Sequence, residues 1–203
     1  MWHWLDFLFP PRSDEAILRD VSNDEFLGLI APRLVSETHP STVALFSFGD
    51  PRVRASIHEA KYHENARAFT LLSTALSEYL READDIQPRK TSIVPIPLGS
   101  ARQKERGFNQ AEEIVRGAVE VLGITVDTTL LMRTRETASQ VSLPRRAREE
   151  NMRGAFSAAH PADPARTYIV IDDVITTGAT LQAAIDALHD AGAVHIIPLA
   201  LAH

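Results

Sequence analysis

The 203-residue chain has no cysteine at all. That absence excludes disulfides, thiolate catalysis and any cysteine-ligated zinc. It also has no excess of positive charge. The formal net charge is −6, so no global basic field argues for nucleic acid, and direct nucleic-acid binding is not expected. No apolar run approaches the roughly 18 residues of a membrane span, so no membrane association is expected. The opening MWHWLDFLFPP is apolar but lacks a basic leader and is interrupted by Asp6, which makes it a poor signal peptide and a better packing segment. No G-x-x-x-x-G-K-[ST] loop occurs. Low-complexity tracts and internal repeats are missing too. These absences leave a protein expected to be cytoplasmic and globular. Its ordinary hydrophobic content of 44% is long enough a supply to bury a core.

What is present is concentrated in YIVIDDVITTGAT, Tyr168 to Thr180. Tyr168 to Ile171 lack alternation and are rich in β-branched residues, which reads as a buried parallel strand. Asp172 and Asp173 follow directly. Thr176, Thr177, Gly178, Ala179 and Thr180 then form a hydroxyl-rich turn opening a helix, whose apolar face is Leu181, Ala184, Ile185 and Leu188 and whose stop is Gly192. Backbone N–H groups and three hydroxyls at a helix N-terminus suit a phosphate. Gly178 allows a sharp turn or a close approach. Two carboxylates at a strand's carboxyl end repel phosphate but suit vicinal hydroxyls or Mg²⁺. A ribose diol bearing a 5′-phosphate satisfies both halves; the alternative is an ordinary strand-turn-helix with a solvated acidic pair.

Elsewhere the pattern alternates. A helix is predicted from Asn23 to Leu34, a strand over Val43–Phe48, a short helix over Val53–Tyr62 and a longer one over roughly 64–82. A strand over Ser92–Ile96, a helix ending at Gly123, a strand over Thr128–Met132, a polar stretch over 133–166 and a closing strand over Val194–Leu201 complete it. Pro198 predicts an edge or irregular position for that last strand. Repeated strand–helix alternation implies a largely parallel sheet with helices on both faces.

Two basic stretches are candidates for anion binding. Arg102, Lys104 and Arg106 crowd a short predicted loop after a strand end, with Asn109 placed to cap the next helix. Such a charge run alone is a solvated face; its position after a strand end points to a polyanion such as pyrophosphate. The second stretch carries Arg133, Arg135, Arg145, Arg146, Arg148 and Arg153. It reads either as a flap that closes over a ligand or as a surface loop whose arginines pair with Glu136, Glu149 and Glu150.

The Tyr168–Thr180 segment resembles the phosphoribosyl-pyrophosphate (PRPP) motif of type I phosphoribosyltransferases. Together with Glu59-Ala60-Lys61-Tyr62, Val94-Pro95-Ile96-Pro97, Glu105-Arg106-Gly107-Phe108-Asn109-Gln110, and Arg135, Thr137, Gln140, Leu143, Arg148, Asn151 and Phe156, it resembles the ComF family, named for competence. The resemblance covers roughly residues 43–203. It implies an α/β, type I phosphoribosyltransferase fold: a largely parallel sheet with a five-stranded parallel core flanked by helices, and a small hood. Residues 1–42 are then an N-terminal extension and 43–203 the phosphoribosyltransferase-like domain.

The resemblance implies PRPP as substrate and Mg²⁺ as cofactor, with Mg²⁺ bridging pyrophosphate and ribose hydroxyls. Asp172 and Asp173 would be the catalytic and metal-holding pair, directly or through water. Thr176, Thr177, Gly178, Ala179 and Thr180 would bind the 5′-phosphate. Arg102, Lys104 and Arg106 would face pyrophosphate, Lys61 falls at a basic position of the pattern, and Arg133 and Arg135 would belong to the flap. The alternative for Lys61 is a solvated surface lysine. Thr176 replaces the acid that faces the base in purine-salvage relatives, which disfavours the hypoxanthine-guanine type. Relatives of this fold are commonly dimers, so a homodimer is expected. ComF-like chains often carry a four-cysteine zinc ribbon after a Leu-Phe-Pro segment. Here Ser13 follows Phe7 to Arg12 and no cysteine appears later, so no zinc is expected. His3 and His39 cannot replace four ligands, and His58 and His63, five apart, suit no shared helix face. Two functions stay open: a phosphoribosyltransferase acting on an unidentified base or amine in nucleotide metabolism, or a non-catalytic PRPP-binding or interaction module in DNA uptake or recombination.

Overall fold

A computed structural model describes residues 12–84, 86–120, 122–135 and 145–203. The expectations on His3, residues 7–11, Glu136, Thr137, Gln140 and Leu143 lie outside the described residues, as do the side chains of Arg145, Arg146, Arg148 and Glu149.

In chain order the elements are α1 (Ser13–Asp20), α2 (Asn23–Leu27), β1 (Arg33–Val35), β2 (Thr42–Phe46), α3 (Pro51–His63) and α4 (Ala66–Glu82). They continue with β3 (Thr91–Pro95), α5 (Ser100–Arg106), α6 (Gln110–Val119), β4 (Thr125–Val126) and β5 (Leu131–Arg133). The last are α7 (Arg145–Met152), β6 (Phe156–Ala158), β7 (Thr167–Val174), α8 (Ala179–Asp190) and β8 (His195–Ala202). The main sheet runs β1-β2-β8-β7-β3-β4. Strands β2, β8, β7, β3 and β4 are all parallel to their neighbours, the five-stranded parallel core expected of the type I phosphoribosyltransferase fold. Only β1 is antiparallel, on the β2 edge. Strands β5 and β6 form a separate antiparallel ribbon.

The alternation of β7 sorts the core into two layers. Successive strand residues leave on opposite faces. Ile169 and Ile171 join the cluster that holds Leu71, Leu72 and Leu76 of α4 and Ile114 and Val115 of α6. Tyr168 and Val170 join the other cluster, with Leu181, Ile185 and Leu188 of α8 and Phe156 of the ribbon. The extension reaches both layers: Leu18 and Phe26 are buried in the first, with the Phe26 ring 5.2 Å from that of Phe46, and Val35 is buried in the second.

Several sequence expectations change in the structure. The helix from Asn23 stops at Leu27 and the chain returns as β1, because Gly28 caps the helix and Pro32 disfavours helical backbone at the residue before it. The strand expected over Thr128–Met132 begins only at Leu131, as β5, and a separate short strand, β4, precedes it at Thr125–Val126. Asp127 separates them, its Oδ1 accepting the N–H groups of Thr129 and Leu130 in a tight turn. The polar stretch 133–166 contains α7 and β6. The predicted loop of Arg102, Lys104 and Arg106 is helix α5, ended by Gly107 at φ +80°. Pro198 sits in a central strand, not at an edge. It is tolerated there because pairing with β2 begins one residue later, at Val43–Leu199.

Candidate active site

Strand β3 leads outward through α5 and α6 to β4, whereas its neighbour β7 leads through α8 to β8 on the opposite side. Strand order therefore reverses between β3 and β7, and the crevice beyond their carboxyl ends is where open α/β sheets bind ligands. A cleft of about 500 Å³ opens there.

Three segments build its walls. The first is the turn after β7. Gly178, at φ +72°, turns the chain into α8, so Thr176 to Thr180 lie at the positive end of a 12-residue helix. A Cβ on Gly178 would stand 2.5 Å from the backbone oxygen of Glu37, so the extension's loop presses directly on this turn. His39 adds a second tie, donating its N–H to Gln182 Oε1 at 2.8 Å. The second segment is α5 and the start of α6. Asn109 caps α6 by accepting the Ala111 N–H, and it donates to the Ile96 carbonyl beyond β3. That double tie fixes Gln110 and Arg106 against the sheet. The third is the end of α3, which supplies Lys61 and Tyr62.

Of the sequence-predicted residues, the cleft brings together Lys61, Arg102, Arg106, Arg133, Asp172, Asp173 and the run Thr176 to Thr180. It does not include Lys104 or Arg135. On helix α5, Lys104 is out of phase with Arg102 and Arg106, which are four apart and share a face. Arg135 donates to the carbonyls of Asn151 and Arg153, both at 2.9 Å, and so clasps the end of α7 instead. The Arg133 guanidinium carbon lies 5.5 Å from the centre of the Phe156 ring.

The two acids differ sharply. Asp173 is 5% exposed. Its Oδ1 accepts the Val174 N–H at 2.7 Å, and its Oδ2 accepts both Lys61 Nζ and Gln110 Nε2 at 2.8 Å. Burial works to raise its pKa, but Lys61, Gln110 and the Val174 N–H outweigh burial and hold it below the ordinary carboxylate range. Desolvation likewise opposes the charge of Lys61, and Asp173 outweighs it, so the ammonium is held more firmly than usual. Asp172 accepts the Asp173 N–H at 2.9 Å. Among the described residues no cation lies within salt-bridge distance of it. Burial pushes its pKa up to about 7, and the neighbouring Asp173 charge adds to the shift. A half-buried carboxylate of this kind, offset only in part by Lys61 and the Asp173 N–H, fits a cation or hydroxyl donors.

Sequence reasoning missed Gln110 and Tyr62 as site residues. Gln110 is 4% exposed and links Asp173 to Arg106, whose Nη1 donates to Gln110 Oε1 at 3.1 Å. The Arg106 guanidinium carbon lies 4.9 Å from the centre of the Tyr62 ring. The signal available was the RGFNQ stretch itself, which carries a polar residue at the first position of a helix face that is otherwise apolar.

Known proteins share this chain's pattern. It is 32% identical over 134 residues to the "DNA utilization protein YhgH" of Salmonella typhi, across 64% of this chain and 58% of that protein. It is 37% identical over 93 residues to "Competence protein F" of Haemophilus influenzae, across 45% of this chain and 41% of the relative. It is 27% identical over 183 residues to "Competence protein ComFC" of Bacillus subtilis, across 90% of this chain and 70% of the relative. The chain is a homologue of the ComF proteins. Matches to the curated DNA utilization proteins thus span 58% of their length. No protein-family model matches. Among solved structures, the ComF homologue is similar to the glutamine PRPP amidotransferase of B. subtilis complexed with ADP and GMP, with a TM-score of 0.44, 16% identity, and coverage of 71% of this chain and 30% of that one. A second, described as the allosteric regulatory enzyme of purine biosynthesis, gives a TM-score of 0.43 at 19% identity, over 71% of this chain and 30% of that one.

Away from the cleft, the structure departs from one sequence expectation. His58 and His63 do meet: their rings are 5.6 Å apart, and with Glu59 their ligand atoms lie within 4.8 Å of one another. Five residues span about 140° of a helix, but His63 is the last residue of α3, and both rings lean over Glu59. Glu59 is already held by three donors, two from Arg12 at 3.0 and 2.8 Å and one from Asn65 at 3.0 Å.

Proposed function

We propose that the protein binds PRPP in this cleft and transfers its 5-phosphoribosyl group to a base or amine, releasing pyrophosphate, in a process linked to competence and DNA use. The observation that carries the reading is the convergence of a cation-free hydroxyl turn at a helix N-terminus, a half-buried carboxylate and several cations in one crevice. The turn suits a 5′-phosphate through backbone N–H groups and hydroxyls. Lys61, Arg102 and Arg106 suit pyrophosphate. Asp172, in the same cleft, suits ribose hydroxyls. The names of the relatives support the link to competence, and this chain's own Tyr168–Thr180 segment supports PRPP.

Asp172 also fits Mg²⁺: burial and the neighbouring Asp173 charge disfavour its ionised form, and a bound cation would relieve both. Asp173 would assist through water. When bound, the ion neutralises negative charge on the leaving pyrophosphate. The protein's own groups orient the sugar at both ends, and a carboxylate beside C1 stabilises positive charge developing on the ring. No helix among the described residues is long and apolar enough to cross a membrane. A cytoplasmic homodimer is the setting proposed.

Release of pyrophosphate from PRPP, followed over a panel of bases and amines, tests the transferase. Acceptor-dependent release lost in Asp172→Asn supports it. PRPP binding without release under any acceptor makes the protein a non-catalytic PRPP-binding module.

A further inference from the structure

The motif carries two adjacent acids, and the structure gives them different surroundings. Asp173 leaves β7 on the face of α3 and α6, the face of Ile169 and Ile171. A carboxylate offers about four lone-pair sites. Three are taken by Val174 N–H, Lys61 Nζ and Gln110 Nε2. Asp173 lines the cleft but is only 5% exposed, and these donors leave it at most one site for a ribose hydroxyl. Lys61 has three N–H donors. One points to Asp173, while its side chain remains 24% exposed on the cleft wall. Gln110 extends the arrangement, since the amide that donates to Asp173 also receives Arg106. Two cleft cations are thus oriented from one carboxylate.

We propose that Asp173 is a positioning residue that aims Lys61, and through Gln110 also Arg106, at the pyrophosphate of the bound ligand, and that the ribose diol is left to Asp172. The inference rests on the PRPP reading and deepens it.

Ribose 5-phosphate separates the two roles, because it has the diol and the 5′-phosphate but no pyrophosphate. Affinities of the full chain for PRPP and for ribose 5-phosphate, with Mg²⁺, are measured for wild type, Asp172→Asn, Asp173→Asn, Lys61→Met and Lys61→Met/Asp173→Asn. Melting curves verify folding. Losing the charge-assisted contact should weaken PRPP about ten- to a hundredfold in Lys61→Met. The double variant should lose less than the product of the two single losses, because part of the Asp173 effect runs through Lys61 and only the rest through Gln110 and Arg106. Ribose 5-phosphate should be weakened by Asp172→Asn and changed less than about twofold by Lys61→Met or Asp173→Asn. Additive losses for PRPP, or equal loss of ribose 5-phosphate in Asp172→Asn and Asp173→Asn, would overturn the division of roles while leaving the PRPP reading intact. If ribose 5-phosphate binds too weakly to measure, additivity on PRPP decides. If Asp173→Asn does not fold, Lys61→Met decides alone: equal loss of both ligands overturns the proposal. A folded wild type that binds neither ligand overturns the PRPP reading and this inference with it.

Discussion

Gly178 joins the extension to the candidate phosphate turn, and its substitution by alanine has a cost that can be worked out. Two penalties apply. Its φ of +72° is left-handed, where an L-residue costs about 1–2 kcal/mol. The new Cβ would also lie 2.5 Å from Glu37 O and 2.9 Å from Glu37 C, both backbone atoms that cannot swing aside. Overpacking of this kind costs about 1–3 kcal/mol. Gly107 supplies the control, with φ +80° and nothing within 4 Å of its hypothetical Cβ. Gly107→Ala should carry only the first penalty. For a domain of this size, about 2–4 °C of melting temperature is lost per kcal/mol. Gly178→Ala should therefore melt roughly 4–20 °C lower than wild type, and Gly107→Ala roughly 2–8 °C lower. Thermal unfolding followed by circular dichroism reads both. Equal shifts for the two variants would refute the claim that the Glu37 backbone presses on the turn.

Leu72 is fully buried between the helices and the sheet, so Leu72→Ala should lower stability by about 2–5 kcal/mol in denaturant titration. Asn109→Ala removes the cap of α6 and the tie to Ile96, and should cost at least about 1 kcal/mol by the same measurement. Glu59 is held below its ordinary value of 4.5, chiefly by Arg12. A carboxylate lowered in the folded state contributes stability that is fully present above the unfolded value and is lost as pH falls through the folded one. The stability difference between wild type and Glu59→Gln should therefore be flat above about pH 5 and shrink on further acidification. A constant difference down to pH 3 would contradict the pairing.

The parallel sheet and the hydroxyl-rich turn were legible because both are local. Tyr168 to Ile171 announce a buried strand by composition, and Thr176 to Thr180 announce a turn by hydroxyls and glycine. Helix α4 was equally plain, since Leu72, Leu76 and Leu80 fall on one face. Helix α5 was not, because its seven residues carry four charges and bury no side chain. Pro198 misled because local preference says edge, while the register with β2 decides what a missing N–H costs. The fastening of Asp173 to Lys61 crosses 112 residues of sequence, and the approach of Glu37 to Gly178 joins extension to motif. Neither pairing leaves a periodicity to read. Sequence could nominate Lys61 and Asp173 separately; only the packing of α3 and α6 on β7 makes them one unit.

The most direct measurement is calorimetric titration of PRPP into the full chain, with and without Mg²⁺, for wild type and Asp172→Asn. Saturable, Mg²⁺-dependent binding by wild type that is lost in a folded Asp172→Asn is the predicted result. No binding by folded wild type, or binding unchanged in Asp172→Asn, would contradict a PRPP site built around Asp172.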